Sequence, residues 1–453
     1  MRANRWWLLV AVVLVITTFL SACGGKGGET ASEAKTDGQS DNNAQNQSGR
    51  TENLVEIRFP WWGNVERHER YNALLDMFEK HHPHIRVIRE PLSFNDYWDR
   101  MATQTAGGNP PDVLMFTRGQ LSEYVSRGAV LALDEFIANG VIDMSDYSET
   151  ARNIGNYQGT IYMVTIGMSA PATFVNVDLL NRKGIPLPKY EMTWDEFTDY
   201  LYEIAPQLGE TEDGRKIYPL SDPTSSEAPI SAFMRQRGYE LFTDDGKSLG
   251  FGKEDLYEWF SYWQRLREDG IIPPADIWAE EGGLDWEQGP IATNRIAMEF
   301  GRASNNLINL QQVVEDNIDL IRIPTDPSRI KYGEIIMGAN MGISAHSKHP
   351  EAVAQLINFW LNDLEFNKLY NNDHGITGNE RLLKEWDLPP TTREVADHLQ
   401  DVLATIKPQK QRPPGQTAFF NQLSRSHEEI SFGVKSIEQA VEDVFREAEK
   451  ILK

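Results

Sequence analysis

A single cysteine limits this chain more than any other feature. Cys23 is the only one among 453 residues. With that thiol committed to any other use, no disulfide, zinc–thiolate cluster or thiol nucleophile remains. The protein must hold together through its hydrophobic core alone. About 400 residues follow the N-terminal segment, more than one core usually supports, so two domains are expected. A formal charge of −23 argues against nucleic acid as a partner, because proteins that bind it are basic. The same charge disfavours broad contact with an anionic membrane surface.

The position of Cys23 is informative. Arg2 and Arg5 make a short basic start, an apolar run extends from Trp6 to Leu20, and Leu20-Ser21-Ala22-Cys23 closes it. A membrane-spanning helix needs roughly 20 apolar residues, so residues 1–22 read as a secretion signal with small residues ahead of the cleavage point. The Leu-Ser-Ala-Cys string resembles the bacterial lipobox, in which the cysteine becomes the N-terminus and carries the lipid. Cys23 is then the lipid-attachment residue, and more than one acyl chain on it would give stable attachment to the outer face of the cell membrane. Residues 23–53 are rich in Gly, Ser, Asn, Gln, Thr and acids. Such a composition cannot bury enough apolar surface to offset chain entropy, and it predicts a flexible tether.

Beyond residue 53, Val55–Phe59 alternates as a strand does, and Pro60-Trp61-Trp62-Gly63 is expected to break it. Tyr71, Leu74, Leu75 and Phe78 follow at helical spacing, and Pro83 closes that segment. Ile85–Ile88 reads as a second strand, a helix runs through Tyr97 and Met101, and Asp112–Phe116 reads as a third strand. Strand–helix–strand–helix–strand predicts a parallel sheet with helices on both faces and ligands at the strands' carboxyl ends. Further along, Thr193-Trp194-Asp195-Glu196 and Ser436-Ile437-Glu438-Gln439 are capping boxes. Leu256, Trp259, Phe260, Trp263 and Leu266 form an apolar stripe, and Pro350 opens a helix carrying Trp360. Trp194, Trp259, Trp263 and Trp360 are assigned to packing.

The order of motifs resembles the extracellular solute-binding protein family 1, which contains maltose- and oligosaccharide-binding proteins. The resemblance rests on Phe78-Glu79-Lys80 with Pro83, on Ala106-Gly107-Gly108-Asn109-Pro110-Pro111-Asp112-Val113, and on Gly128–Asp134. It continues through Phe174–Leu180, Gly184-Ile185-Pro186, Thr193–Phe197, Ile296-Ala297-Met298, and Gly342-Ile343-Ser344 with Lys348–Ala352. It covers residues 54–453. Two positions depart from the family pattern: Tyr162-Met163-Val164-Thr165 at the first hinge and Gly375-Ile376-Thr377 at a later cleft loop. The resemblance implies an α/β, two-lobe periplasmic-binding-protein-like fold (type II), each lobe a mixed sheet flanked by helices. Lobe I is expected at 54–163 plus 341–375, and lobe II at 164–340 plus 376–453. It also implies a monomer that closes on its ligand and meets the transmembrane permease subunits of an ABC importer. No cofactor, metal or catalytic residue is expected.

Sugars present flat C–H faces and a belt of hydroxyls, which aromatic rings and planar polar groups recognise. The candidate ligand-binding residues are Trp61, Trp62, Arg67, Phe116, Arg118, Trp278, Phe300, Arg302, Asn340, Phe419 and Phe420. Of the adjacent Trp61 and Trp62, alternation on an extended segment sends one to the core and the other to the cleft. If Arg67, Arg118 or Arg302 faced the cleft, a uronide carboxylate could be held in a bidentate fork; a neutral oligosaccharide is the first expectation. The alternatives are a non-sugar solute such as a glycerol phosphodiester, or a secreted glycoside hydrolase using the acidic cluster Asp276, Glu280, Glu281 and Asp285. His81-His82-Pro83-His84 is read as a helix-end turn, because Pro83 breaks the spacing a metal pair would need.

Overall fold

The structure, a computed structural model, describes residues 54–117, 120–284, 287–410 and 412–453. The expected signal, Cys23 and the tether lie outside the described residues, as do Arg118, Asp285 and Trp286. Among the described residues no helix is long and apolar enough to cross a membrane.

The first lobe begins with β1 (Val55–Trp62) and β2 (Ile85–Leu92), parallel and in register from Val55–Ile85 to Trp62–Leu92. Pro60-Trp61-Trp62 does not break the first strand; β1 runs through it. The connecting helix Val65–His81 buries Tyr71, Leu74, Leu75 and Phe78, the single face that their spacing predicts. β3 (Val113–Thr117) lies beside β1, where Arg58 N–H donates to the Asp112 carboxylate at 2.8 Å. After the small hairpin of β4 (Asn156–Tyr157) and β5 (Thr160–Ile161) comes β6 (Met163–Ser169).

One residue, Ala170, separates β6 from β7 (Pro171–Asn176), which belongs to a different sheet. β7 pairs antiparallel with β9 (Ile296–Ala303) and β10 (Ile318–Arg322), while β8 (Tyr218–Leu220) runs parallel to β9. The chain then returns. β11 (Met337–Ile343) inserts between β3 and β6, antiparallel to both. This corrects the expectation of an all-parallel first sheet: the strand that completes it comes from more than 200 residues downstream of β3.

Two hydrophobic clusters fill the interior, the first reaching across to Phe174, Leu307 and Ile318. In the first, Phe59, Trp61, Tyr71 and Trp360 pack ring against ring. In the second, the stripe Leu256, Trp259, Phe260, Trp263 and Leu266 on helix Lys253–Glu268 is wholly buried. Each such side chain stabilises the fold by about 1.5–3 kcal/mol. The predicted capping boxes at Thr193–Glu196 and Ser436–Gln439 are both formed.

Candidate functional site

The end of β1, the sheet-to-sheet crossing and the end of β9 converge. Ser304, just past β9, exchanges two hydrogen bonds with Ala170: its N–H donates to the Ala170 carbonyl at 2.9 Å, and its hydroxyl accepts from Ala170 N–H at 3.3 Å. The next residue, Asn305, donates from its side chain to the Asp373 carbonyl at 2.9 Å. Asn309, one helical turn on, donates to the Asp373 carboxylate at 3.3 Å.

Asp373 sits in a turn placed by close backbone contact. Met168 and Ile376 exchange backbone hydrogen bonds at 2.8 and 2.7 Å. Between them Gly375 has φ +128, and a Cβ there would lie 2.5 Å from the Met168 carbonyl oxygen. Only glycine fits that crossing. Facing Asp373 are two arginines of helix Val65–His81. Arg67 forks onto it, Nε to Oδ2 at 2.5 Å and Nη2 to Oδ1 at 3.0 Å, and Arg70 approaches Oδ1 at 3.4 Å. The helix starts this close to β1 because Asn64 caps it, accepting from Arg67 N–H at 3.1 Å. Gly63 leaves the space through which the Arg67 stem passes, 2.5 Å from where a Cβ would stand.

Beside this charge cluster lies an aromatic patch. Trp62 meets Phe94, Tyr97, Trp98 and His374 at centroid distances of 5.0–5.9 Å. Trp98 continues to Phe116 on β3 at 6.3 Å, and Asn340 on β11 stands opposite Phe116 in the ladder. Phe94 is 50% exposed, an uncommon state for a phenylalanine in contact with two other rings. Trp98 Nε1, His374 Nε2, Asn340 Oδ1 and Asn372 Nδ2 are buried polar atoms with no hydrogen-bond partner among the described residues. Trp263 and Trp360 also carry orphan indole nitrogens, deep in the cores. The group around Trp62 differs in gathering donors and an acceptor beside a half-open ring surface. A buried polar atom left unpaired costs about 1–3 kcal/mol.

The electrostatics are set by burial. Burial, then Arg67 and Arg70, hold His374 down at about 3 against the opposing pull of Asp373. The ring is therefore neutral near pH 7. Burial works to raise Asp373, but Arg67, His374 and Arg70 outweigh it and keep the carboxyl at about 2. Burial, chiefly, pushes the Tyr71 and Tyr370 phenols up.

The structure brings together some of the residues picked from sequence and separates others. Trp62 and Arg67 meet at the patch, where Arg67 Nη1 also donates to the Trp62 carbonyl at 3.3 Å. Asn340 is buried at its edge. Trp61 turns the other way, stacked on Tyr71 at 5.3 Å with its indole N–H donated to His68 at 3.1 Å, so it is a core residue. Phe116 is fully buried between Trp98 and Tyr124 and forms backing for the patch. Phe300 is buried among Trp194, Phe197 and Trp263, and Phe419 packs on Phe242; neither offers a free face. Phe420 is half-buried with the Arg412 guanidinium 5.8 Å over its ring.

Arg302, near the end of β9, is 3.2 Å from Glu299. Trp278 lies on helix Ala275–Glu281, which Glu281 ties to Arg295 at 3.0 Å, at the start of β9. That is the far end of the strand from Arg302, roughly 20 Å away at about 3.3 Å per residue. Glu281, one of the four acids weighed for hydrolysis, is thereby paired with arginine. His81 and His82 each direct a ring nitrogen to the carbonyl four residues back. Phe94, Trp98, Arg70, Asn305, Asn309, Asp373 and His374 were not anticipated. Trp98 had one signal, its place next to Tyr97 on a helix whose buried face was already legible.

Two α/β lobes joined through short crossings, with a half-open aromatic and polar patch at the junction, define a protein built to hold a small solute. The chain belongs to the bacterial extracellular solute-binding proteins, whose family profile matches residues 73–390. It is 21% identical over 320 residues to an uncharacterised lipoprotein of Streptomyces antibioticus, covering 70% of this chain and 66% of that one. It is 24% identical over 221 residues to an uncharacterised ABC transporter extracellular-binding protein of Pyrococcus horikoshii, covering 48% and 45%. The matches span less than two thirds of either relative's own length. Among solved structures, the fold resembles an ABC substrate-binding protein of Listeria monocytogenes in complex with cycloalternan (TM-score 0.74, 20% identity, 87% and 98% coverage). It also resembles a periplasmic oligogalacturonide-binding protein of Yersinia enterocolitica in complex with saturated digalacturonic acid (TM-score 0.75, 20% identity, 88% and 98% coverage).

Proposed function

We propose that this protein captures a sugar, an oligosaccharide, in the cleft between its lobes and delivers it to the permease of an ABC importer, without catalysing any reaction. In this reading the lobes are 54–163 with 341–375 and 164–340 with 376–453, and they close about the crossings when ligand binds. Lipidated Cys23 and the tether hold the monomer at the outer face of the cell membrane. The observation that carries the reading is the patch of Trp62, Phe94 and Trp98 beside the orphan polar atoms of Trp98, His374 and Asn340. Rings suit the C–H faces of a pyranose and the orphan atoms suit its hydroxyls. Both solved structures described above hold saccharides, which supports the same ligand class.

A thermal-shift screen of the chain against plant and microbial oligosaccharides and a few phosphate esters tests this. Ligand at 100 times its Kd stabilises by about 2.7 kcal/mol, so one glycan class should raise Tm clearly and be recovered unchanged. A shift with phosphate esters alone, or conversion of the glycan, would overturn the reading.

A further inference from the structure

The proposed site contains two arginines, which in a saccharide-binding cleft would ordinarily recommend a carboxylated sugar. Here both are turned to a carboxylate of the chain itself. Arg67 spends Nε and Nη2 on Asp373 and Nη1 on the Trp62 carbonyl. Arg70 turns towards the same carboxylate. Asp373 itself is 2% exposed, and a side-chain amide from Asn309 and another from Asn305 fix its carboxylate and its carbonyl. On β9, the guanidinium of Arg302 stands against Glu299. His374, which meets Trp62, is uncharged near pH 7. A bidentate fork can serve one carboxylate at a time.

We propose that Asp373 is a specificity-determining residue: its carboxylate occupies the anion seat formed by Arg67 and Arg70, so the saccharide unit that docks on Trp62 and Trp98 is uncharged. This rests on the proposed sugar-binding function and narrows it. The protein provides its own carboxylate at this seat, and a uronate would have to displace it to reach the Arg67 fork. Removing that side chain should open the seat. Two cations would then lie together in a low-dielectric setting, where an incoming anion is held more strongly than in water.

Two titrations test the claim. In the first, the wild-type chain is titrated with an oligosaccharide of the class found by screening and with its uronate counterpart of the same linkage. The neutral sugar should bind at least tenfold more tightly, and equal or tighter uronate binding overturns the proposal. In the second, Asp373→Ala and wild type are titrated with glucuronate and with sulfate at constant ionic strength. The variant should gain tenfold or more for these anions, and no gain overturns the proposal. If no saccharide binds wild type, the sugar-binding function fails, yet the second titration still decides whether Asp373 fills an anion seat. If Asp373→Ala does not fold by circular dichroism, the first titration decides alone.

Discussion

Asp373 and Asp222 are both buried carboxylates beside arginine and histidine, yet their surroundings differ. Asp222 follows β8 and accepts from Arg267, from His427 Nε2 at 3.1 Å, and from the backbone and hydroxyl of Thr224 at 3.0 and 2.5 Å. Its partners are closed in: the Arg267 and His427 side chains are 6% and 9% exposed, and Trp259 roofs Thr224 by donating to its carbonyl at 2.8 Å. The arginines on Asp373 keep 18% and 16% exposure, and the rings beside them lead out to half-exposed Phe94. The same charge pairing therefore serves two ends. Around Asp222 it anchors helices of the second lobe to a strand end. Around Asp373 it shapes the edge of the surface proposed for the ligand.

The largest expected effect separates the two. Asp222→Ala would leave Arg267 buried without its carboxylate, and breaking a buried pair costs about 3–5 kcal/mol. Urea unfolding should show that loss, while ligand selectivity of the folded fraction stays unchanged. A shift of selectivity towards uronates in this variant would erase the distinction between the two aspartates.

A smaller effect concerns acid. Burial and the two arginines depress His374, so its folded value of about 3 lies below the unfolded 6.5. Its contribution is then present above pH 6.5 and is lost as pH falls towards 3, because the unfolded chain takes up the proton first. Asp373, depressed to about 2 from 3.8, adds a loss of the same sign at lower pH. Glu394 has the opposite sign. Burial, then Asp319, raises it to about 8 from 4.5, so its contribution is present below pH 4.5 and fades as pH rises through 8. Tm measured against pH should fall on both sides, and His374→Gln should flatten the decline between pH 6.5 and 3. An unchanged acid limb would show that His374 is not buried beside these cations.

Much of the fold was legible in the sequence because it is locally encoded. Capping boxes, the Tyr71–Phe78 face and the Leu256–Leu266 stripe each depend on residues within a turn or two. The pairing of β11 between β3 and β6 was not, since register between distant strands leaves no periodic trace. The site shows the same divide. Trp62 stood out as half of an adjacent pair, but Arg67 and Asp373 are 306 positions apart, and nothing local to either points to the other. Phe300 and Phe419 misled for a physical reason. An aromatic residue near a cleft element is as readily its inner face as its outer one, and both pack inward here.

The most direct measurement is calorimetric titration of wild type and Trp98→Ala with the saccharide that the screen returns. Loss of the ring and its unpaired indole N–H should weaken binding by roughly tenfold or more, at about 0.5–1.5 kcal/mol for the aromatic contact and a similar amount for the hydrogen bond. An unchanged Kd in a folded Trp98→Ala protein would contradict the account, because the ligand would then dock away from the patch on which it rests.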